Sequence, residues 1–86
     1  MEAVTFEGRL RAGKANNHIY SRNGMDGLVS VWMHDSKFIL TWEECPKGCQ
    51  FDESTYTRDD RVVFNSFPEL MAFLLDQKLS HDLFKP

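Results

Sequence analysis

The stretch from Leu28 to Glu43 constrains what this chain can fold into more than any other. Two β-rich runs, Leu28–His34 and Lys37–Glu43, flank the dipeptide Asp35-Ser36. Taken as a two-residue hairpin turn, that dipeptide sets the register. His34 then faces Lys37, Met33 faces Phe38, Trp32 faces Ile39, Val31 faces Leu40, Ser30 faces Thr41 and Val29 faces Trp42. Opposed residues share a sheet face. One face therefore gathers Val29, Val31, Met33, Phe38, Leu40 and Trp42, all apolar. The other gathers Ser30, His34, Lys37, Thr41 and Glu43, with Trp32 and Ile39 as one apolar pair among them. An odd loop length would set apolar against polar residues throughout, so the register is strongly specified.

The flanking segments are read against this hairpin. Val4–Arg11 alternates, with Val4, Phe6 and Leu10 on one side, and predicts an N-terminal strand. Gly13–Asn17 reads as a loop. His18–Arg22 reads as a short strand, ended by two turn signals, Asn23-Gly24 and Asp26-Gly27. Gln50–Thr57 fits an edge strand or a loop equally, and Arg61–Phe64 reads as a strand. Ser66-Phe67-Pro68-Glu69 matches a capping box, with Ser66 as N-cap, Glu69 reaching back and Pro68 in the first turn. From Phe67 to about Lys78, the residues Phe67, Leu70, Met71 and Leu74 repeat at helical spacing. Phe73 and Leu75 widen that stripe beyond what one sheet face covers. Either the tail Leu79–Phe84 folds back over one flank or a partner covers it; the tail is the expectation, with Ser80 capping a short turn.

These elements predict an α+β fold: a small two-layer domain with a three- to five-stranded antiparallel sheet packed on one C-terminal helix. At 86 residues the expectation is a single domain over 1–86. Hydrophobic residues make up 42% and charged residues 27%, a balance unlike that of disordered chains. Seven Phe, two Trp and two Tyr concentrate apolar area in few positions. No apolar run is long enough to span a membrane. Met1-Glu2-Ala3-Val4 lacks the basic and apolar regions of a signal peptide. The expected location is the cytoplasm, with Cys45 and Cys49 reduced.

Charge is unevenly spread over a formal net of −3. Residues 1–22 hold four bases (Arg9, Arg11, Lys14, Arg22) against Glu2 and Glu7, whereas residues 23–86 are strongly acidic. Net acidity argues against duplex DNA, where phosphate neutralisation dominates affinity. Candidate chemistry is sparse. Cys45-Pro46-Lys47-Gly48-Cys49 forms a turn with two thiols, short of the four ligands a structural zinc site needs; it reads as an ordinary turn or a disulfide. His34 beside Asp35 and His81 beside Asp82 read as surface pairs, and no Ser or Cys nucleophile has an assignable base. No catalytic residue, metal ligand or cofactor is expected.

Two features remain for binding. Trp32 and Ile39 form an aromatic–aliphatic pair on the face opposite the core, and Trp is enriched at interface hot spots. The segment 50–61 and the N-terminal stretch are the candidates for covering it locally. Glu43, Glu44, Asp52, Glu53, Asp59 and Asp60 could form an acidic face that a basic protein surface recognises. The expected function is a non-enzymatic protein-binding module of inhibitor or adaptor type. Small acidic α+β chains of this size are common among phage and mobile-element products that block host machinery. The partner would be another protein, or a second copy in a homodimer. The alternative is single-stranded nucleic-acid binding by the Trp32 face with Arg9, Arg11, Lys14 and Arg22.

Overall fold

The computed structural model describes all 86 residues. It contains helix α1 (Ala3–Arg11), strands β1 (Asn16–Arg22), β2 (Met25–His34) and β3 (Lys37–Pro46), a 3-10 turn at Glu53–Thr55, strand β4 (Arg58–Phe64), helix α2 (Phe67–Asp76) and a second 3-10 turn at His81–Leu83. The strands form one antiparallel sheet in the order β1-β2-β3-β4. No helix is long and apolar enough to cross a membrane.

The central hairpin has the register its sequence demands, from His34↔Lys37 to Val29↔Trp42, and continues to Met25↔Pro46. Asp35 and Ser36 both take positive φ, 50° and 64°, as a type I′ turn requires. Left-handed backbone costs an L-residue roughly 1–2 kcal/mol. Ser36→Gly is therefore expected to raise stability by about 0.5–1 kcal/mol, read as a higher urea midpoint with unchanged slope. Asn23 and Gly24, at φ 53° and 75°, make the same kind of turn between β1 and β2.

The expected second turn at Asp26-Gly27 is instead part of β2. Gly27 is there because the Tyr20 ring lies against it: a Cβ at this position would meet Tyr20 Cζ at 2.0 Å. β1 also starts earlier than the sequence suggested, taking in Asn16 and Asn17.

The N-terminal segment is a helix, which corrects the predicted strand. Its alternation breaks at Gly8, whereas Phe6 and Leu10 are spaced i,i+4 and point the same way on a helix. Both are fully buried, while Val4, which the strand reading placed beside them, is 78% exposed. An i,i+4 Glu7–Arg11 pair at 2.9 Å adds support, as do Arg9 and Arg11 in the last turn, at the negative end of the helix dipole. The fully buried Asn16 ties α1 to the sheet. Its Nδ2 donates to Phe6 O at 3.0 Å and its Oδ1 accepts from Arg9 Nε at 2.8 Å.

At the other end Ser66 caps α2, its Oγ accepting from Glu69 N at 3.3 Å. Glu69 reaches back one residue further than expected, accepting from Asn65 N. Lys78, at φ 60°, ends the helix, and Leu79 N donates to Leu74 O in a Schellman-type closure. The tail then folds back as expected. Ser80 accepts from Asp82 N, Leu79 and Phe84 enter the core, and Lys85 exchanges two backbone hydrogen bonds with Asn17 at the edge of β1. Leu75, on the opposite flank of α2, stays 81% exposed.

Both helices and the tail pack on one sheet face. Phe6, Leu10, Leu70, Leu74, Leu79 and Phe84 meet Val29, Val31, Phe38, Leu40, Trp42 and Phe64 in one buried cluster. The opposite face, called outer below, has no second layer.

Candidate functional site

Pleat alternation assigns the outer face. Trp32, Ile39 and Val63 lie in one row across β2, β3 and β4. Ile19, Leu28, Glu43 and Asp59 lie in another. Ile39 is only 4% exposed because its neighbours in the row flank it. Trp32 is half-buried, with the Arg61 guanidinium 6.0 Å from its ring centre. The N-terminal segment is α1 on the other face and gives this pair no cover, whereas the 50–61 stretch supplies Arg61. Val63 and Ile19 are 50% and 79% exposed.

At the far end of this face the 47–57 loop rises beside the sheet and makes a groove of about 540 Å³. Leu28, Ile19 and Cys45 line it from the strands, and Gln50 and Tyr56 from the loop. Hydrogen bonds hold the loop in place. The Asp26 carboxylate accepts from Gly48 N at 3.2 Å and from Gln50 Nε2. Tyr56 Oη donates to Gln50 O at 2.7 Å, and Thr57 N donates to Glu44 O at 2.8 Å. The Ser21 hydroxyl first, then the Gly48 N–H, hold the Asp26 carboxyl below the usual aspartate range. Desolvation pushes the Tyr56 phenol up, helped by the negative field of Glu43, Cys45, Glu53 and Asp59. Phe51, at the loop tip beside Gln50, is 99% exposed.

The six acidic residues do not assemble into one face. Glu43 and Asp59 are opposed on the outer face beside the groove, and Glu53 acts on Tyr56 from the loop. Asp52 is spent on the 3-10 turn, accepting from Ser54 N and Oγ. Glu44 and Asp60 point to the helix side. There Trp42 Nε1 donates to Tyr20 Oη at 2.9 Å and Tyr20 donates to Glu44. Arg58 pairs with Asp60 at 2.7 Å and lies 3.5 Å from the Trp42 ring centre. These groups close the open end of the core over Trp42. Burial first, then the Glu44 hydrogen bond, raise the Tyr20 phenol. Gly27→Ala is expected to push Tyr20 off this site. It would cost about 1–3 kcal/mol through the stranded Trp42 N–H and lost packing, read as a red-shifted Trp emission and a lower melting temperature.

The basic residues are likewise dispersed. Arg9 donates to Asn16 and Ala15, Arg11 pairs with Glu7, and Arg22 lies over Tyr20 on the helix side. Of the bases named for a nucleic-acid role, none of these three stands beside Trp32. Trp32 and Glu43 also belong to separate parts of the outer face, since Ile39 and Glu43 are four residues apart along β3, about 13 Å.

The remaining candidates have ordinary surroundings. Cys45 and Cys49 are free thiols. Burial first, then Asp26, Cys49, Glu43 and Glu44, push the Cys45 thiol up, the reverse of an activated nucleophile. His34 and Asp35 meet at 3.3 Å, both widely exposed, and His81 Nδ1 hydrogen-bonds Met1 O at 2.8 Å. No group of three or more His, Cys, Asp or Glu side chains is placed to hold a metal ion.

Ile19, Leu28, Tyr56 and Asp26 were not among the expected site residues. Three of them had a usable signal. Treating Asn23-Gly24 as a two-residue turn pairs Arg22 with Met25 and so sets Ile19 against Leu28 on the outer face, with Asp26 beside them. No family model, curated protein or solved structure matches the chain, so the functional reading rests on this geometry.

Proposed function

We propose that this chain is a non-enzymatic protein-binding module, of inhibitor or adaptor type, that engages its partner through the outer face of its sheet. One observation carries the reading. Both helices and the tail serve one sheet face, and the other keeps Trp32, Val63, Leu28 and Ile19 at least partly open with no second layer. A two-layer domain leaves one sheet face over, and a half-buried Trp in a row with Ile39 and a half-exposed Val63 is the composition of a binding hot spot rather than of solvated surface. The cytoplasm, where both thiols stay reduced, and an origin in a phage or mobile element acting on host machinery belong to the same proposal, supported by size, acidity and cysteine usage.

Affinity capture with three forms tests it: wild type, Trp32→Lys, and Leu75→Lys on the exposed flank of α2. Partners held by wild type should be lost with Trp32→Lys and kept with Leu75→Lys. The reverse pattern would move the site to the helical layer and end this reading. Light scattering on wild type and Trp32→Lys at several concentrations separates a foreign partner from a second copy.

A further inference from the structure

The outer face carries a like-charge pair that no salt bridge of the chain engages. Glu43 and Asp59 are opposed across β3 and β4. Directly opposed like charges destabilise a strand pair. Beside them lies the groove, whose strand side is apolar: Ile19 is 79% exposed and Leu28 half-buried. Cys45 also lines it, 4% exposed.

We infer that this groove receives an apolar side chain from a basic segment of a partner protein, whose flanking Lys or Arg side chains pair with Glu43 and Asp59. The inference rests on the protein-binding reading and names the partner's chemistry at one end of that face. Cations placed there replace a repulsion by two attractions, which favours basic over acidic partners. A polypeptide suits the site because the adjacent edge of β1 is open. Asn17 turns its backbone groups outward to Lys85, so by alternation Ile19 and Ser21 also present theirs outward, beyond the reach of that pairing. A second copy suits it less. It carries the same net charge of −3 and would bring its own Glu43 and Asp59 against these.

Amide NMR tests the inference with three acetylated pentapeptide amides: Lys-Arg-Leu-Arg-Lys, Glu-Asp-Leu-Asp-Glu and Lys-Arg-Gly-Arg-Lys. The first should shift Leu28, Cys45 and Tyr56 and bind about tenfold more tightly than either of the others, an advantage that shrinks as salt is added. In the double variant E43K/D59K, checked for unchanged Phe6 and Leu40 resonances, the preference should invert towards the acidic peptide. Equal affinity for the basic and acidic peptides, an unchanged preference in E43K/D59K, or no shift with any peptide overturns the inference. Shifts confined to Trp32, Ile39 and Val63 overturn it too, yet leave the outer-face reading standing, which the Trp32→Lys capture decides separately. Concentration-dependent shifts of the groove without peptide would assign the groove to a second copy and also overturn it.

Discussion

Phe6→Ala is expected to lower stability by about 3–5 kcal/mol, the usual range for emptying a buried Phe site. A chain of this length is held together by only about 4–13 kcal/mol in all, so this variant should lose a large share of its stability. The ring is fully buried and packs against two other parts of the chain. Its centre lies 6.3 Å from that of Phe67 in α2 and 5.3 Å from that of Phe84 in the tail, edge-on at 85°. Its own carbonyl accepts from Asn16 at the start of β1. Urea denaturation followed by circular dichroism measures the change. A loss under about 1 kcal/mol would contradict α1 as a core element and favour a peripheral N-terminal segment.

The second large effect is expected at Phe84→Ala. Phe84 is 1% exposed, and its ring packs on Phe6 and, at 5.9 Å, on His18 of β1. Truncation should again remove about 3–5 kcal/mol, with a second readout that Phe6→Ala lacks. Lys85, the next residue, pairs with Asn17 in both directions at 2.8 and 2.7 Å. Loosening the tail should speed amide exchange at Asn17 and open more of the β1 edge, an exposure that favours strand-to-strand association. Because Phe6 and Phe84 touch, their losses should not add. A double-mutant cycle should return a coupling of about 0.5–1.5 kcal/mol. Phe51→Ala, by contrast, should change stability by no more than about 0.5 kcal/mol, since that ring is 99% exposed.

The parts of this fold that were legible are those where one local rule had no competitor. In the 28–43 hairpin an even loop and an unbroken apolar set permit a single register, and the structure has it. Ser66, Pro68 and Glu69 announce α2, and the excess width of its stripe foretells the returning tail. Val4–Arg11 failed because two periods fit it. Val4, Phe6 and Leu10 suit a strand and Phe6 with Leu10 suits a helix, and only the shape of the sheet's apolar face selects between them. Gly27 failed for a similar reason. Its neighbours spell a turn, but its use is to admit the Tyr20 ring, a contact set by strand pairing.

The candidate site was legible only in pieces. Trp32 and Ile39 are found where pleat alternation puts them, on the face away from the core. The acids were grouped because they are close in sequence, whereas strands separate neighbours: Glu43 and Glu44 point to opposite faces, as do Asp59 and Asp60. The groove itself depends on where the 47–57 loop comes to rest. That is decided by Asp26, two strands away from β4, and no short-range pattern announces it.

The strand order β1-β2-β3-β4 also sets the tempo of folding. Every pair of neighbouring strands is consecutive in the chain, so the sheet assembles by closing local loops, the longest of them 47–57, a topology that folds fast for its strand content. The long closures, α1 and the tail meeting across almost the full chain at Phe6 and Phe84, repay their entropy only once the sheet exists to receive them. Weakening that meeting point should therefore leave the refolding rate nearly unchanged and appear almost wholly as faster unfolding. Stopped-flow chevrons of Phe84→Ala and of Leu40→Ala in the hairpin would separate the two regimes, and equal slowing of refolding in both would show that the ends meet early instead.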